Sequence, residues 1–138
     1  MMGANILVDA HIQVEPRLSV SEGHQIAETV EFLLKNRVQH MQDVTIHVDP
    51  EDDEQSSPNR YLPLRTRLLE ELEPAWAHIP AAEKIKKIDL HYLDGQVEVT
   101  LLLPLPEGGS EEANEIQRSF RDVATQQDKV SAIRVLFS

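Results

Sequence analysis

Three histidines and an aspartate, His11, His24, His47 and Asp49, are the residues of this sequence whose types suit them to chemistry together. Imidazole nitrogen and carboxylate oxygen are the donors that zinc and its neighbours accept where thiolate is not on offer. Thiolate is not on offer, because the chain has no cysteine. Its absence also removes disulfides and a cysteine nucleophile. The four residues lack the close spacing of a CxxC or HExxH motif, so spacing leaves two readings open. Either they gather around a divalent metal, or they are solvent-facing residues of two strands and a helix. Other candidates are weaker. Asp9 and His11 stand like a general base and its partner, but no Gly-x-Ser-x-Gly elbow accompanies them. Gly108-Gly109 precedes a helical pattern without the lysine of a phosphate-binding loop. An enzyme is therefore not expected. His91, beside Asp89, reads as a surface residue, and His40 and His78 sit near expected helix ends, where the dipole favours a cation.

The elements that must carry the four residues follow from periodicity. Over residues 6–14, Ile6, Val8, Ala10, Ile12 and Val14 alternate with Asp9, His11 and Gln13, a strand with one apolar and one polar face. Ser19 with Glu22 three residues on is a capping box. Ile26, Val30, Leu33 and Leu34 then mark an amphipathic helix to about Arg37, with His24, Glu28 and Glu31 on its other side. Val44, Ile46 and Val48 alternate with Thr45, His47 and Asp49 in a second strand. There His47 and Asp49 share a face, roughly 6.5–7 Å apart along the chain. Strand, helix and strand in so short a span predict a right-handed crossover with parallel strands.

Residues 51–60 open with Glu51, Asp52, Asp53 and Glu54 and are broken by Pro58, the composition of a solvated acidic linker. Beyond it, Leu64, Leu68, Leu69, Leu72, Trp76 and Ile79 predict a helix that Pro74 kinks or splits and Pro80 ends. A strand over 85–92, an Asp94-Gly95 hairpin and a strand with Val97, Val99, Leu101 and Leu103 on one face come next. A helix through Ala113, Ile116, Phe120, Val123 and Ala124 and a strand through Ile133, Val135 and Phe137 finish the chain. The second half is thus α-β-β-α-β, and its last three elements repeat the β-α-β order of the first. Aligning Ile46 with Val135 and Val48 with Phe137 places Thr100, Asn114, Leu136 and Ser138 where His11, His24, His47 and Asp49 stand.

Composition narrows the partners. The chain has 138 residues, 41% of them hydrophobic and 4% aromatic, so an aliphatic core is expected. A net charge of −11, from 24 acids and 13 bases, offers no basic stripe for nucleic acid or an anionic membrane surface. No apolar run approaches the ~20 residues of a membrane-spanning helix, and no signal peptide is visible.

Val8-Asp9-Ala10-His11-Ile12-Gln13-Val14, Leu18-Ser19-Val20-Ser21-Glu22-Gly23-His24-Gln25-Ile26 and Asp43-Val44-Thr45-Ile46-His47-Val48-Asp49-Pro50 resemble, in order, the cytosolic C-terminal domain of cation diffusion facilitator transporters. These are membrane antiporters that export zinc and related divalent metals against protons. The resemblance implies an α+β, ferredoxin-like or metallochaperone-like α-β-β-α-β fold that dimerises beneath the membrane part and binds metal. His11, His24, His47 and Asp49 match its ligand positions. It implies Zn2+, or Fe2+, Mn2+, Co2+ or Cd2+, as the metal, and three partners: the ion, a second copy and the transmembrane part of the same transporter. The motifs begin at the family's second strand. The expectation is therefore a fragment of an inner- or plasma-membrane transporter: a truncated β-α-β unit over 1–50, a linker over 51–60, and a complete unit over 61–138 without the ligands. A metal-independent dimerisation module and a free-standing cytosolic metal-binding protein are the alternatives.

Overall fold

Alternation of apolar and polar residues makes β1 (Ile6–Gln13) a strand that turns Val8, Ala10 and Ile12 inward and leaves Asp9, His11 and Gln13 exposed. It pairs in parallel with β2 (Met41–Asp49), where Val44 is buried and His47 exposed. The crossover between them is α1 (Val20–Arg37). Its first turn is capped as the sequence predicts, the Ser19 hydroxyl accepting from the Glu22 amide at 3.2 Å, a contact that contributes about 1 kcal/mol. Lys35 and Arg37 in the last turn complement the helix dipole. The computed structural model describes residues 5–138; residues 1–4, which open the expected first unit, lie outside the described residues.

The face of α1 that meets the sheet is narrower than the apolar pattern suggests. Gly23 is buried against β2, where an added Cβ would lie 3.5 Å from Val48 Cγ1. Ile26, Ala27, Val30 and Leu34 continue that strip half-buried. Leu33, expected on the same face, is 40% exposed. A two-stranded sheet covers about one stripe of a helix, and Leu33 falls beyond its edge. Glu31 is half-buried instead, its carboxylate accepting from Lys35 Nζ at 2.7 Å.

The chain divides into two units, Met1–Ser56 and Ser57–Ser138, the division falling within the 51–60 stretch. That stretch is more ordered than a solvated linker. The Asp52 carbonyl accepts from the amides of Gln55 and Ser56, and its carboxylate from the Glu54 amide, which closes a turn on the first unit. On the other side of the boundary, the Ser57 amide donates to Asp94 Oδ1 at 2.6 Å, and Asn59 bridges the Tyr92 carbonyl and the Gly95 amide. Side chains that read as solubilising polar residues are turn and hairpin clamps.

The second unit is α-β-β-α-β, as predicted. Helix α2 (Arg65–Trp76) buries Leu68, Leu72 and Trp76. Pro74 does not split α2, because it falls in the last turn and the helix ends two residues on. Leu64, expected on the buried face, stands before the first turn and is 81% exposed. Ile79 is buried just ahead of a short 3-10 helix, Pro80–Lys84. Strand β3 (Lys87–Leu93) starts two residues later than predicted and pairs antiparallel with β4 (Gln96–Leu103). Their turn has φ of 51° at Asp94 and 76° at Gly95, the left-handed pair that a tight hairpin requires. Helix α3 (Gly109–Thr125) then returns to β5 (Val130–Phe137), parallel to β4, and completes the sheet order β3-β4-β5. Val97, Val99 and Leu101 have no exposed surface, and the Phe120 ring meets Trp76 edge-on at 5.8 Å. Both helices supply this core, so the opposite face of the sheet carries Asp89, His91, Glu98, Thr100 and Arg134.

Candidate metal centre

The parallel register of the first unit sets His11 directly across from His47. Both belong to the alternate positions that face away from α1, and their rings stack with centroids 4.4 Å apart and planes 10° from parallel. Each ring has a carboxylate partner on the other strand. His11 Nδ1 lies 2.8 Å from Asp49 Oδ2, and His47 Nε2 lies 2.9 Å from Asp9 Oδ1. The two contacts are the same diagonal drawn twice. Asp9 is registered with Thr45 and reaches His47, two residues on; His11 is registered with His47 and reaches Asp49, two residues on.

The Asp49 hydrogen bond, helped by the negative charge of Asp49, Asp9 and Asp53 and opposed by desolvation, raises the pKa of His11 above its ordinary 6.5. A metal-free face therefore favours a proton where a metal would compete with it. Donor atoms of Asp9, His11 and His47 all lie within 4.8 Å of one another, the spread that a bound cation draws together. His11, Gln13 and Asp49 also line a hollow with Glu51, Asp52, Asp53 and Glu54, which deepens the negative field around the rings.

Of the residues singled out in the sequence, His11, His47 and Asp49 are thus brought together. His24 is placed apart from them, on an exposed turn of α1, with Nε2 3.0 Å from Glu28 Oε1. α1 packs on the apolar face of the β1–β2 sheet, and the two stacked rings are on the other face. A residue that the motifs did not single out as a ligand, Asp9, joins the cluster. A signal for it was present: Asp9-x-His11 on one strand mirrors His47-x-Asp49 on the other.

The second unit draws the same diagonal with different chemistry. Glu98 is registered with Ala132 and its carboxylate lies 3.5 Å from Arg134 Nη1, two residues on. Matching β4–β5 to β1–β2 by register makes Thr100 the counterpart of His11, Arg134 of His47 and Leu136 of Asp49. This moves the expected alignment of the last strand by two residues, because the second crossover is two residues shorter. A guanidinium cannot ligate a metal and already supplies a positive charge opposite Glu98. The Gly108-Gly109 helix start is likewise self-sufficient, Glu112 Oε2 accepting from the Gly108 amide at 2.6 Å.

Two parallel strands, their crossover helix and a face of histidines and aspartates make up an α+β unit in the first half of the chain. Residues 1–51 match the family described as cation efflux protein, cytoplasmic domain, and the resemblance carried by the three motifs is borne out over that segment. Over 54 residues the chain is 37% identical to an uncharacterized transporter, YdbO, of Bacillus subtilis (strain 168). That alignment takes in 37% of this chain and 17% of the relative, so the chain spans a minor part of the relative's length. No solved structure matches. Among the described residues no helix is long and apolar enough to cross a membrane.

Proposed function

We propose that this chain is the cytosolic regulatory and dimerisation region of a divalent-cation efflux transporter, and that it senses zinc or a similar metal. The observation that carries the reading is the β1–β2 face, where two imidazoles and two carboxylates from separate strands meet at 2.8 and 2.9 Å. Imidazole and carboxylate suit Zn2+, Co2+, Mn2+, Fe2+ and Cd2+, and geometry and supply would choose among them. When bound, the metal would supply positive charge and directional bonds to a face that is otherwise strongly acidic.

The mechanism is linkage. A metal that binds the paired state of two copies better than the single copy shifts the population towards the pair, and the transmembrane part of the transporter would respond to that shift. A coupling of about 1–3 kcal/mol is typical for such a device. No bond is made or broken in the scheme, so the region needs no catalytic group.

Zinc titrated into the 138-residue chain, followed by calorimetry and sedimentation velocity in parallel, tests both halves of the reading. The expected result is saturable heat that disappears in the His11→Ala/His47→Ala double variant, with a rise in sedimentation coefficient over the same zinc range. A metal-independent interaction module is favoured by one observation, the exposure of Phe32 (66%) and Leu33 on α1 and of Val38 just beyond it. It predicts self-association without heat from zinc and without sensitivity to the double variant.

A further inference from the structure

We propose that the second unit takes up an extended acidic segment of a partner protein as an added strand along the outer edge of β5, in the groove between that edge and α3. The proposal concerns residues 57–138 and does not depend on the metal reading.

The two edges of the β3-β4-β5 sheet are treated differently. Along β3 the chain blunts its own edge. The Ile88 carbonyl accepts from Arg65 Nη2 at 2.6 Å and the Tyr92 carbonyl from Asn59 Nδ2 at 3.2 Å. The edge of β5 is left open. The Ser138 amide donates to the Leu103 carbonyl, so the even-numbered residues of β5 turn towards β4, while Ile133, Val135 and Phe137 turn their amides and carbonyls outward. Among the described residues, one of these outward groups has a partner, the Val135 carbonyl, which Gln117 Nε2 reaches at a long 3.3 Å. β5 contains no proline or lysine to discourage pairing. An open row of backbone groups of this kind is a template for a further strand.

α3 builds the second wall. Its Gln117, Arg121, Ala124 and Thr125 line a groove of about 900 Å³ with Ser131 and Arg134 of β5. A groove between a helix and a strand edge holds a peptide by main-chain hydrogen bonds, and the side chains at its rim select the sequence. α3 runs back against β5 after the turn over 126–129. Arg121 lies one helical turn past Gln117, and a turn of about 5.4 Å nearly spans two strand residues, so Arg121 is level with Ile133. It is exposed and has no ion-pair partner among the described residues. Arg134 stands on the open face of the sheet, where its pair with Glu98 is long at 3.5 Å. An added strand turns successive side chains to the α3 side and to the open face, so two adjacent carboxylates would meet Arg121 and Arg134 in turn. The same guanidinium groups disfavour a second copy as the occupant. Pairing β5 with itself about a two-fold axis at its centre would set each of them near its own counterpart.

Fluorescence anisotropy on the 138-residue chain, without added metal, tests this with short labelled peptides of alternating valine and threonine that carry Glu-Glu or Lys-Lys at the centre. The Glu-Glu peptide is expected to bind saturably and about tenfold more tightly than the Lys-Lys peptide, the scale of a charge-assisted hydrogen bond. Arg121→Glu is expected to abolish that preference and Arg121→Lys to keep it, with far-UV circular dichroism showing that both variants are folded. Amide hydrogen exchange followed by NMR locates the contact. The bound peptide should slow exchange at Ile133 and Val135 and leave Arg134, already bonded to β4, unchanged. Absence of binding, equal binding of the two peptides, a preference that survives Arg121→Glu, or unslowed amides at Ile133 and Val135 would each overturn the proposal. Slow exchange at those amides in the peptide-free chain that is lost on dilution would assign the edge to a second copy and overturn it as well.

Discussion

His11 is the residue on which the chemistry of this face turns, because it is pulled two ways. Its hydrogen bond to Asp49, and the charges of Asp49, Asp9 and Asp53, favour the imidazolium and raise its pKa above 6.5 in the folded chain. A raised folded pKa means that this contact stabilises the fold fully below the unfolded pKa. The contribution fades as pH climbs through the folded value. The same carboxylates attract a metal, which requires the neutral ring, so proton and metal compete for one nitrogen pair. NMR titration of the metal-free chain should give His11 a midpoint above 6.5, and Asp49→Asn should bring it down. A His11 midpoint that stays put in Asp49→Asn would show that the contact does not exist in solution. The candidates His11, His47 and Asp49 were legible from residue type and alternation. Asp9 was legible only as the mirror of His47-x-Asp49; its partner is set by parallel register and by a diagonal reach, and neither is written in either strand alone.

At the scale of elements, the two β-α-β crossovers show what pattern can and cannot foretell. The start and end of α1 follow from Ser19 and from the last apolar residue, Leu34, and both are local signals. The buried stripe was read too wide, since exposure of Leu33 depends on how many strands lie beneath the helix. Pro74 was read as a kink or a split because its place within the last turn depends on where α2 ends. The matching of the last strands was read two residues out, as a shift by two preserves the apolar alternation and leaves sequence no means to choose. Register decides it: with Thr100 at the place of His11, as expected, Arg134 and not Leu136 stands where His47 does in the first unit. Thr100 is buried and its hydroxyl has no hydrogen-bond partner. Replacing it with valine keeps the shape and removes a buried polar atom, which should stabilise the second unit by about 1 kcal/mol. Urea unfolding followed by the fluorescence of Trp76, the single tryptophan and part of that unit's core, reads this directly. A lower midpoint in Thr100→Val would mean that the hydroxyl finds a partner in solution.

For the whole molecule, the −11 charge is unevenly divided. Residues 1–56 hold eleven carboxylates against three lysines and arginines, while residues 57–138 hold thirteen against ten. Overall composition gave the sign of the charge but hid this division, which appears once the boundary between Ser56 and Ser57 is drawn. A net −8 on the first unit does two opposing things in the proposed scheme. It concentrates a dication near His11 and His47, and it repels the first unit of a second copy. Both effects act through solvent-exposed groups, so both are screened over a Debye length that falls from about 10 Å at 0.1 M salt to about 3 Å at 1 M. Raising sodium chloride should therefore weaken zinc binding to the chain and strengthen self-association of the metal-free chain at the same time. A bound dication removes part of the repulsion at its source, so self-association of the zinc-loaded chain should depend less on salt than that of the metal-free chain. Sedimentation at low and high salt, with and without saturating zinc, tests the coupling. Equal salt dependence in the two states would mean that metal and pairing act on separate surfaces, and the linkage mechanism would fail.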